Sequence, residues 1–447
     1  MKHYFHGGIH PADGTDKLLS NQKPIRIYRP KIVEISMKQS PGSVCEAIVK
    51  KGDRVSRGDL IGEPKRFGGA NIHASISGMV IDVRIDSVSF SQDIEIVVIE
   101  ADDKEEPEYP TGDYEERLLD LSDYSKDMII AKMKDGGLTG LGGAGFPTYI
   151  KYETKEKISH VLINAAECEP YLTCDHMLML EHSYAIINGV LLLVKASGAE
   201  KALICLEDNK QDAAQVMERI ISDKDLPIEI KILPTRYPQG GERQLVEATL
   251  GMEVPAGQLP ASIGVIINNV GTAKALADIV LGDRPLISRL VTVTGKVKDQ
   301  GNYLVPIGTR YSELIGASGG FTADISRVIE GGPMTGTCLQ IGGSHEELTG
   351  SISKVTSGLL VLEDEQKDET PCIRCGECER VCPAGLAPFK IDFAAIENDI
   401  SLCDKLYATE CISCGCCSYV CPAKRELAYR ITEAKKEIFK LRWESNK

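Results

Sequence analysis

The chain has 447 residues and carries 51 lysines and arginines against 65 aspartates and glutamates, a formal net charge of −14. That length predicts roughly three or four domains, and the acidic balance excludes the clustered basic footprint of a nucleic-acid binder. Fifteen cysteines follow an opening, MKHYFHGGIHPADG, without the apolar run of a secretory leader, so reduced thiolates are expected rather than disulfides. The longest apolar stretch, Ala185 to Val194, falls well short of the about 20 residues that span a bilayer.

Residues 31–100 read as short strands between Gly, Asp and Ser turns: Ser43–Val49, the Lys51-Gly52-Asp53 turn, Leu60-Ile61-Gly62 and Gly78–Val83. The phrase VKKGDRVSRGDLIGE followed by HASISGMVIDV resembles the barrel-sandwich fold of biotinyl and lipoyl carriers. Where those carriers set a modifiable lysine, this chain has the longer, glycine-rich EPKRFGGANI. Lys65 is therefore not expected to carry a swinging arm, and residues 1–105 are expected to serve docking or structure. The acidic stretch from Ala101 to Arg117 has almost nothing to bury and reads as a linker, drawn at 106–127.

Over 128–285 strands and helices alternate. Val161–Ile163, Ala202–Leu206 and Ile228–Leu233 are expected strands; Met177–Ala196, Asp212–Ile221 and Glu242–Leu250 are expected helices. Such alternation predicts an α/β layer with mainly parallel strands. Residues 286–361 suggest a small β-grasp unit: β-runs at Val291–Gly295 and Asn302–Val305, a short helix at Ser312–Ile315, then Gly331-Gly332-Pro333-Met334. A second charged linker, Leu362–Thr370, leads into 362–447. There Pro388–Leu406 and Leu427–Leu441 read as helices around two cysteine quartets, a helical ferredoxin-type domain.

The quartets are Cys372-x2-Cys375-x2-Cys378-x3-Cys382-Pro383 and Cys411-x2-Cys414-x2-Cys417-x3-Cys421-Pro422. In this spacing three thiolates wrap one corner of a [4Fe–4S] cube while the fourth reaches the neighbouring cube. By that rule Cys372, Cys375, Cys378 and Cys421 hold one cluster, and Cys411, Cys414, Cys417 and Cys382 the other. Zinc also accepts four thiolates, but it rarely needs a third evenly spaced cysteine or the trailing Cys-Pro. Cys403 and Cys416 lie outside both quartets and are read as packing residues. Cys45, Cys174, Cys205 and Cys338 are isolated and expected to be buried; His3, His6 and His10 are read as a docking surface, and Trp443 as packed within the terminal helix.

A second motif is the loop Gly137–Thr148, with five glycines in nine residues. Glycines let a backbone approach a ligand and aim N–H groups at a phosphate, although the spacing is neither a dinucleotide fingerprint nor a Walker loop; a plain structural turn is the alternative. Lys151 follows and could supply charge. Asn164-Ala165-Ala166-Glu167-Cys168-Glu169-Pro170 comes at the carboxyl end of a strand, where open α/β sheets bind ligands. Gly240-Gly241-Glu242 opens a helix, and Asn268-Asn269-Val270-Gly271-Thr272 follows another apolar strand.

Together these four segments resemble the flavin- and NADH-binding subunit of respiratory complex I. The resemblance implies that Gly140, Gly142, Gly143 and Gly145 line FMN with Lys151 and Asn164 beside it. It also implies that Glu167, Glu242, Asn268 and Asn269 complete the pocket, that Phe146 stacks near the nicotinamide, and that Glu169 and Glu242 orient ribose and nicotinamide. Either carboxylate could instead merely satisfy N–H groups at a helix start. The departures are Ala166 for the family's Asp, Cys168 for its Ser and Gly241 for the first Glu of its pair. Cys168 is read as a small residue lining the loop.

Taken in order, from Phe5-His6-Gly7-Gly8-Ile9-His10-Pro11 through Gly331-Gly332-Pro333-Met334 to the two quartets, nearly the whole chain resembles the C subunit of Rnf-type ferredoxin:NAD oxidoreductases. This implies two [4Fe–4S] clusters, a noncovalent FMN and electron exchange with NAD(H). It implies a peripheral place on the cytoplasmic face of the cell membrane, docked to partner subunits that include a ferredoxin-like, cluster-bearing one. Two other functions use the same modules: a soluble NADH-oxidising carrier feeding a terminal reductase, and a cluster relay that has lost its flavin.

Overall fold

The computed structural model describes residues 4–445 except 18, 20–22, 87–92, 103–111, 223, 324, 326, 340, 342–343 and 364–367. His3, the centre of the acidic linker and half of the second linker's charged residues lie outside the described residues.

Two small sheets form the first unit. Ile32–Ser36, Ile94–Ala101, Gly78–Asp86 and Arg54–Val55 make an antiparallel sheet in that order, and Cys45–Ala47, Leu60–Pro64 and Ile72–His73 a second. Strand Ile32–Ser36 buries alternate residues, the period-two pattern of a sheet with one face inward, and its Val33 and Ile35 join Ile61, Val80 and Val97 in one core.

The central unit is a parallel sheet in the order Ile228–Leu233, Lys201–Glu207, His160–Ala165, Val265–Asn269. Its strands are apolar runs; Ala202 to Glu207 are all buried, as expected when helices cover both faces. Helix Ser183–Ser197 crosses helix Val270–Leu281 so closely that a Cβ on Gly189 would meet the Ala273 carbonyl at 1.8 Å. Each helix has an identifiable boundary: Asn269 accepts the Gly271 N–H as N-cap, and Gly198 takes the left-handed conformation after the last turn of Ser183–Ser197.

The third unit is a six-stranded mixed sheet in the order Arg26–Ile27, Gly301–Pro306, Ser288–Gly295, Gly358–Leu362, Arg327–Glu330, Thr337–Leu339, with helix Tyr311–Ala317 packed on it through Leu314 and Ile315. The edge strand Arg26–Ile27 comes from the N-terminal segment. The last unit is helical: Pro388–Ile396, Ile400–Lys405 and Leu427–Ser445 pack around Ile391, Cys403, Ile431 and Ile438.

Several sequence expectations are corrected. The single helix Met177–Ala196 is two helices, Cys174–Glu181 and Ser183–Ser197, bent by 97°. At the break His182 Nδ1 meets a tertiary partner, the Glu115 carboxylate, at 2.9 Å, and the Ser183 hydroxyl donates locally to the Met179 carbonyl of the preceding helix. Pro388–Leu406 is also two helices, interrupted at Asn398 with φ +55°. The acidic linker does bury something. Tyr114, in the short 3₁₀ turn Asp113–Glu115, is nearly inaccessible and donates to Asp278 at 2.8 Å. Cys338 is exposed rather than buried, and Trp443 is 60% exposed. No single helix among the described residues is long and apolar enough to cross a membrane.

One buried lysine joins three of these units. Lys354 donates to the carbonyls of Asn71 (2.6 Å) and Gly137 (2.7 Å), and its N–H to Gln39 Oε1 (2.8 Å). Burial pushes the Lys354 ammonium down to about 7. A base depressed on folding contributes stability that is present above its ordinary pKa of about 10.4 and lost as pH falls through 7. Lys354→Met is expected to orphan both carbonyls at a cost of about 2–4 kcal/mol and to abolish the rise in thermal midpoint between pH 7 and 9.5; an unchanged melt at both pH values would refute this.

Candidate functional site

The parallel sheet has a switch point. From His160–Ala165 the chain adds Lys201–Glu207 and then Ile228–Leu233 on one side, and returns to place Val265–Asn269 on the other. Loops therefore diverge at the carboxyl ends of His160–Ala165 and Val265–Asn269, the crevice where open α/β sheets hold ligands. Asn164 and Asn269 are register partners at this edge.

The predicted residues gather around it. Leu141 N–H donates to the Thr272 hydroxyl (2.9 Å), which brings Gly142 against Asn269, where an added Cβ would lie 3.3 Å from the asparagine Cβ. Lys151 Nζ reaches the Ile267 carbonyl (2.9 Å) and the Glu242 carboxylate (3.0 Å). Asn164 Nδ2 donates to the Gly240 carbonyl (2.8 Å), so the helix start at Glu242 is drawn in as well. Asn268 turns away and donates to the buried Tyr152 hydroxyl (2.6 Å), which makes it a brace under the site.

The glycines divide into two kinds. Gly145, with φ +63°, packs on Val355, whose Cγ1 would lie 2.6 Å from a Cβ, so this glycine is structural. Gly143, with φ +101°, faces open space, and Gly142, Gly143 and Ala144 are exposed. At Gly140 the nearest atom to an added Cβ is 3.6 Å away, and the Phe146 ring beyond is partly exposed. An open backbone crest over a switch point, with Lys151 and Asn164 at its foot, fits a flat ring bearing a phosphate.

The acidic loop is folded inward. Glu167, held at φ +43°, accepts the N–H groups of Asp175 (2.6 Å) and His176 (3.3 Å) at the start of helix Cys174–Glu181, where a helix end favours a carboxylate. Burial pushes its carboxyl up to about 7 against the opposing pull of Lys17, 3.8 Å away. Burial likewise raises Asp175, partly offset by the Asn269 amide at 2.6 Å. Glu169 accepts from Met334 N–H (3.1 Å) and the Thr335 hydroxyl. It thus grips the Gly331–Met334 turn rather than opening a helix, and a Cβ on Gly332 would strike it at 2.2 Å.

Cations that carry no mark in the sequence hold these loops. Lys17 donates to the carbonyls of Glu169 (3.0 Å) and Leu172 (2.7 Å); Lys210 donates to Ala166 O (2.6 Å) and Asn209 Oδ1 (2.8 Å), with Glu207 at 3.4 Å. Arg289 donates to Leu141 O (3.2 Å) under the glycine loop. All three are buried. Lysine and arginine are ordinarily surface residues, and nothing in their local surroundings along the chain identifies these as exceptions.

The two cysteine motifs repeat one backbone. Arg374 and Ser413 are left-handed (φ +56° and +54°), as are Gly376 and Gly415 (φ +79° and +76°), and each motif continues into a four-residue helix. The N–H groups of Arg374 and Ser413 point at Cys372 and Cys411 Sγ, both at 3.4 Å. The fourth cysteines cross over. Cys421 lines one cavity with Cys372, Cys375 and Cys378, closed by Phe389 and Leu427. Cys382 lies among Cys411, Cys414 and Cys417: the Cys417 thiol is pushed up by burial and then by the negative potential of those three neighbours. Cys403 packs in the helical core and Cys416 against Tyr237, outside both groups.

The second group abuts the central unit. Cys414 and Cys416 pack with Ile9, Tyr237 and Val381, in contact with Cys168 and Met334. A Cβ on Gly415 would lie 2.8 Å from the Met334 carbonyl, and Gln244 Nε2 reaches the Pro383 carbonyl at 3.5 Å. Cys168 Sγ itself accepts the Gly240 N–H (3.3 Å).

Comparison with known proteins gives the family. The RnfC barrel sandwich hybrid domain matches residues 3–104, the Nuo51 FMN-binding domain residues 133–278, and the SLBB domain residues 290–337. The chain is 40% identical to the C subunit of the Na(+)-translocating ferredoxin:NAD(+) oxidoreductase complex of Acetobacterium woodii, over 99% of its own length and 98% of that protein. The chain belongs to the RnfC family, the C subunits of these ion-translocating oxidoreductase complexes. The proton-translocating relative from Clostridium ljungdahlii is 37% identical over 86% of this chain and 82% of its own. Family membership bears out the resemblance read from the sequence, including the barrel-sandwich and α/β parts of the fold. An NAD+-reducing [NiFe]-hydrogenase chain shares the fold at a TM-score of 0.50 and 23% identity, over 62% of this chain and 55% of that one.

A carboxyl raised on folding contributes stability that is complete below its ordinary pKa of about 4.3 and lost as pH rises through its folded value. For Glu167 that value is about 7. Glu167→Gln is therefore expected to gain on the unmodified chain between pH 5 and pH 8, by up to about 3 kcal/mol. Thermal melts at both pH values check this, and a difference independent of pH would contradict it.

Proposed function

We propose that this chain passes electrons between NAD(H) and a ferredoxin-like partner subunit through FMN and two [4Fe–4S] clusters, as a peripheral subunit on the cytoplasmic face of an ion-translocating membrane complex. The observation that carries the reading is the crossing of the fourth cysteines. Cys421 shares a cavity with Cys372, Cys375 and Cys378, and Cys382 sits with Cys411, Cys414 and Cys417, as two adjacent cubes require and two separate zinc knuckles do not. The proposed units are 1–105, the connector 106–127, an FMN and NAD(H) domain 128–285, a β-grasp domain 286–361, and a ferredoxin-type domain 362–447.

FMN would be held by the open backbone of Gly140, Gly142 and Gly143, with Gly145 shaping the loop beneath. Lys151 would offset phosphate charge, and Asn164, Asn269 and Glu242 would border the ring. Phe146 offers a partly exposed face to the nicotinamide. A bound flavin supplies the conversion between hydride transfer and single-electron transfer. The chain's own residues orient and insulate. N–H groups aimed at Cys372, Cys411 and, from Leu386 at 3.4 Å, Cys382 are the kind of contact that tunes a cluster's potential. Because the second quartet abuts Cys168 and Met334, the cluster it would hold would be the nearer one to the flavin loops, and the quartet with the exposed Cys375 would face the partner.

An anaerobic NADH titration of the purified, cluster-loaded chain, followed by visible absorbance, tests the route. Flavin bleaching followed by partial cluster reduction is the expected result; clusters without flavin and without response to NADH would leave only a relay. The ligand assignment has its own test. Cys421→Ser is expected to abolish the same paramagnetic signal of the reduced protein as Cys375→Ser, and Cys382→Ser the same as Cys414→Ser, each losing about half the bound iron. A colourless, zinc-containing protein would reject clusters altogether.

A further inference from the structure

The hairpin between Leu60–Pro64 and Ile72–His73 carries Lys65, Arg66 and Phe67 at its tip. All three are exposed, Phe67 by 77%. The tip does not point into solvent away from the molecule. The Phe67 ring meets Tyr149 edge-on at 6.3 Å. Tyr149 lies in the helix that begins directly after Gly145-Phe146-Pro147. The tip is also tied to that glycine loop from the other side. The Gly68 carbonyl crosses Gly42 with no room for a Cβ, and the neighbouring Pro41 lies 3.5 Å from where a Cβ on Gly145 would be. The tip, the 39–43 loop and Gly145 thus form one continuous wall.

That wall is basic and aromatic in a chain of net charge −14. Lys134 Nζ sits 5.9 Å above the Tyr149 ring, with Glu153 also near that ring, and Lys65 and Arg66 precede Phe67 on the exposed tip. None of the three basic residues has an acidic partner among the described residues. Phe146, 38% exposed, is next along the loop. Meanwhile the pocket residues that differ from the complex I pattern, Ala166, Cys168 and Gly241, are small, and Glu169 is engaged by the Met334 turn. The dinucleotide's far half therefore has few polar partners in the central unit.

We propose that the hairpin tip supplies them: it binds the adenosine diphosphate half of NAD(H), with Lys65 and Arg66 on the diphosphate and Phe67 stacked on the adenine. Guanidinium groups pair well with phosphate, and any base offers a face to an aromatic ring. The inference rests on the reading that the neighbouring loop holds FMN and reacts with NAD(H).

The test is anaerobic reduction of the flavin in the full cluster-loaded chain, with NADH and with reduced nicotinamide mononucleotide, which lacks the adenylate half. Phe67→Ala and the pair Lys65→Glu with Arg66→Glu are compared with the unmodified chain at matched flavin and iron content. NADH half-saturation is expected to rise about tenfold at an unchanged maximal rate, with no change for the mononucleotide. Added salt is expected to weaken NADH binding to the unmodified chain more than to the charge-reversed variant. An unchanged NADH half-saturation overturns the proposal. So does an equal loss with both donors, which would make the tip a prop for the glycine loop. Failure of both donors to reduce the unmodified chain would instead reject the underlying flavin and NAD(H) reading, and this proposal with it.

Discussion

The arrangement of the site depends on cations taken out of water. Lys17, Lys210, Lys354 and Arg289 are buried, and each donates to at least one backbone carbonyl of the loops around the site. A buried charge without partners costs several kcal/mol, so these side chains are stable only while the carbonyls stay in place. The reverse holds as well, since a buried carbonyl that loses its donor is penalised. Loop and cation thus fix each other. Glycine-rich and acidic segments that would otherwise wander are held ready for a ligand before one arrives, which lowers the entropic cost of binding.

The same logic sets the distance between the redox groups proposed above. The N-terminal segment acts as a strap: Gly8 N–H donates to Val381 O (2.8 Å) beside Cys382, Ile9 and Tyr237 exchange backbone bonds, and Gly14 O accepts from Tyr171 N–H (2.7 Å). Lys17 then enters beneath Glu169. Within the helical unit the buried Asp392 binds Arg425 (2.6 Å) and Arg430 (3.0 Å), and Arg430 also binds Glu369 (2.6 Å). This network ties the helix between the motifs to the terminal helix. Removing one partner from such a network leaves an unpaired buried charge and is far costlier than losing a surface pair.

How much of this could be read from the sequence follows from what each signal encodes. The grouping of Cys421 with Cys372, Cys375 and Cys378, and of Cys382 with Cys411, Cys414 and Cys417, on which the cluster proposal rests, follows the cysteine spacing. The glycine loop, the strand-end asparagines and the helix start at Glu242 were legible because backbone conformation and strand ends have local signatures. The bend at His182 was not. A short polar Glu181-His182-Ser183 interval is no helix breaker by itself, and the contact made at the break, His182 with Glu115, is far off in sequence. Tyr114 was lost in an acidic average that describes its neighbours correctly. Asn268 and Asn269 both come from the complex I resemblance, but adjacent strand residues face opposite sides, and here Asn268 turns to Tyr152 while Asn269 turns to Asp175. The buried lysines carry no local mark; their burial is decided by loops from three units meeting around them.

The strap has a consequence for how the molecule is made. Residues 5–17 leave the ribosome long before their partners Val381 and Tyr419; the Ala12 N–H to Tyr419 hydroxyl contact joins positions 407 residues apart. At roughly 5–20 residues per second the strap waits on the order of 20–80 s before the surface it seals exists. Closing so long a loop adds little entropic penalty, about 0.6 kcal/mol per doubling of length, so the delay is one of supply rather than of energy. The earlier units must reach their shapes with this seam open, and the helical unit is stitched to them only after residue 419 has been made. The proposed clusters would enter the cysteine motifs within the interval in which that seam closes.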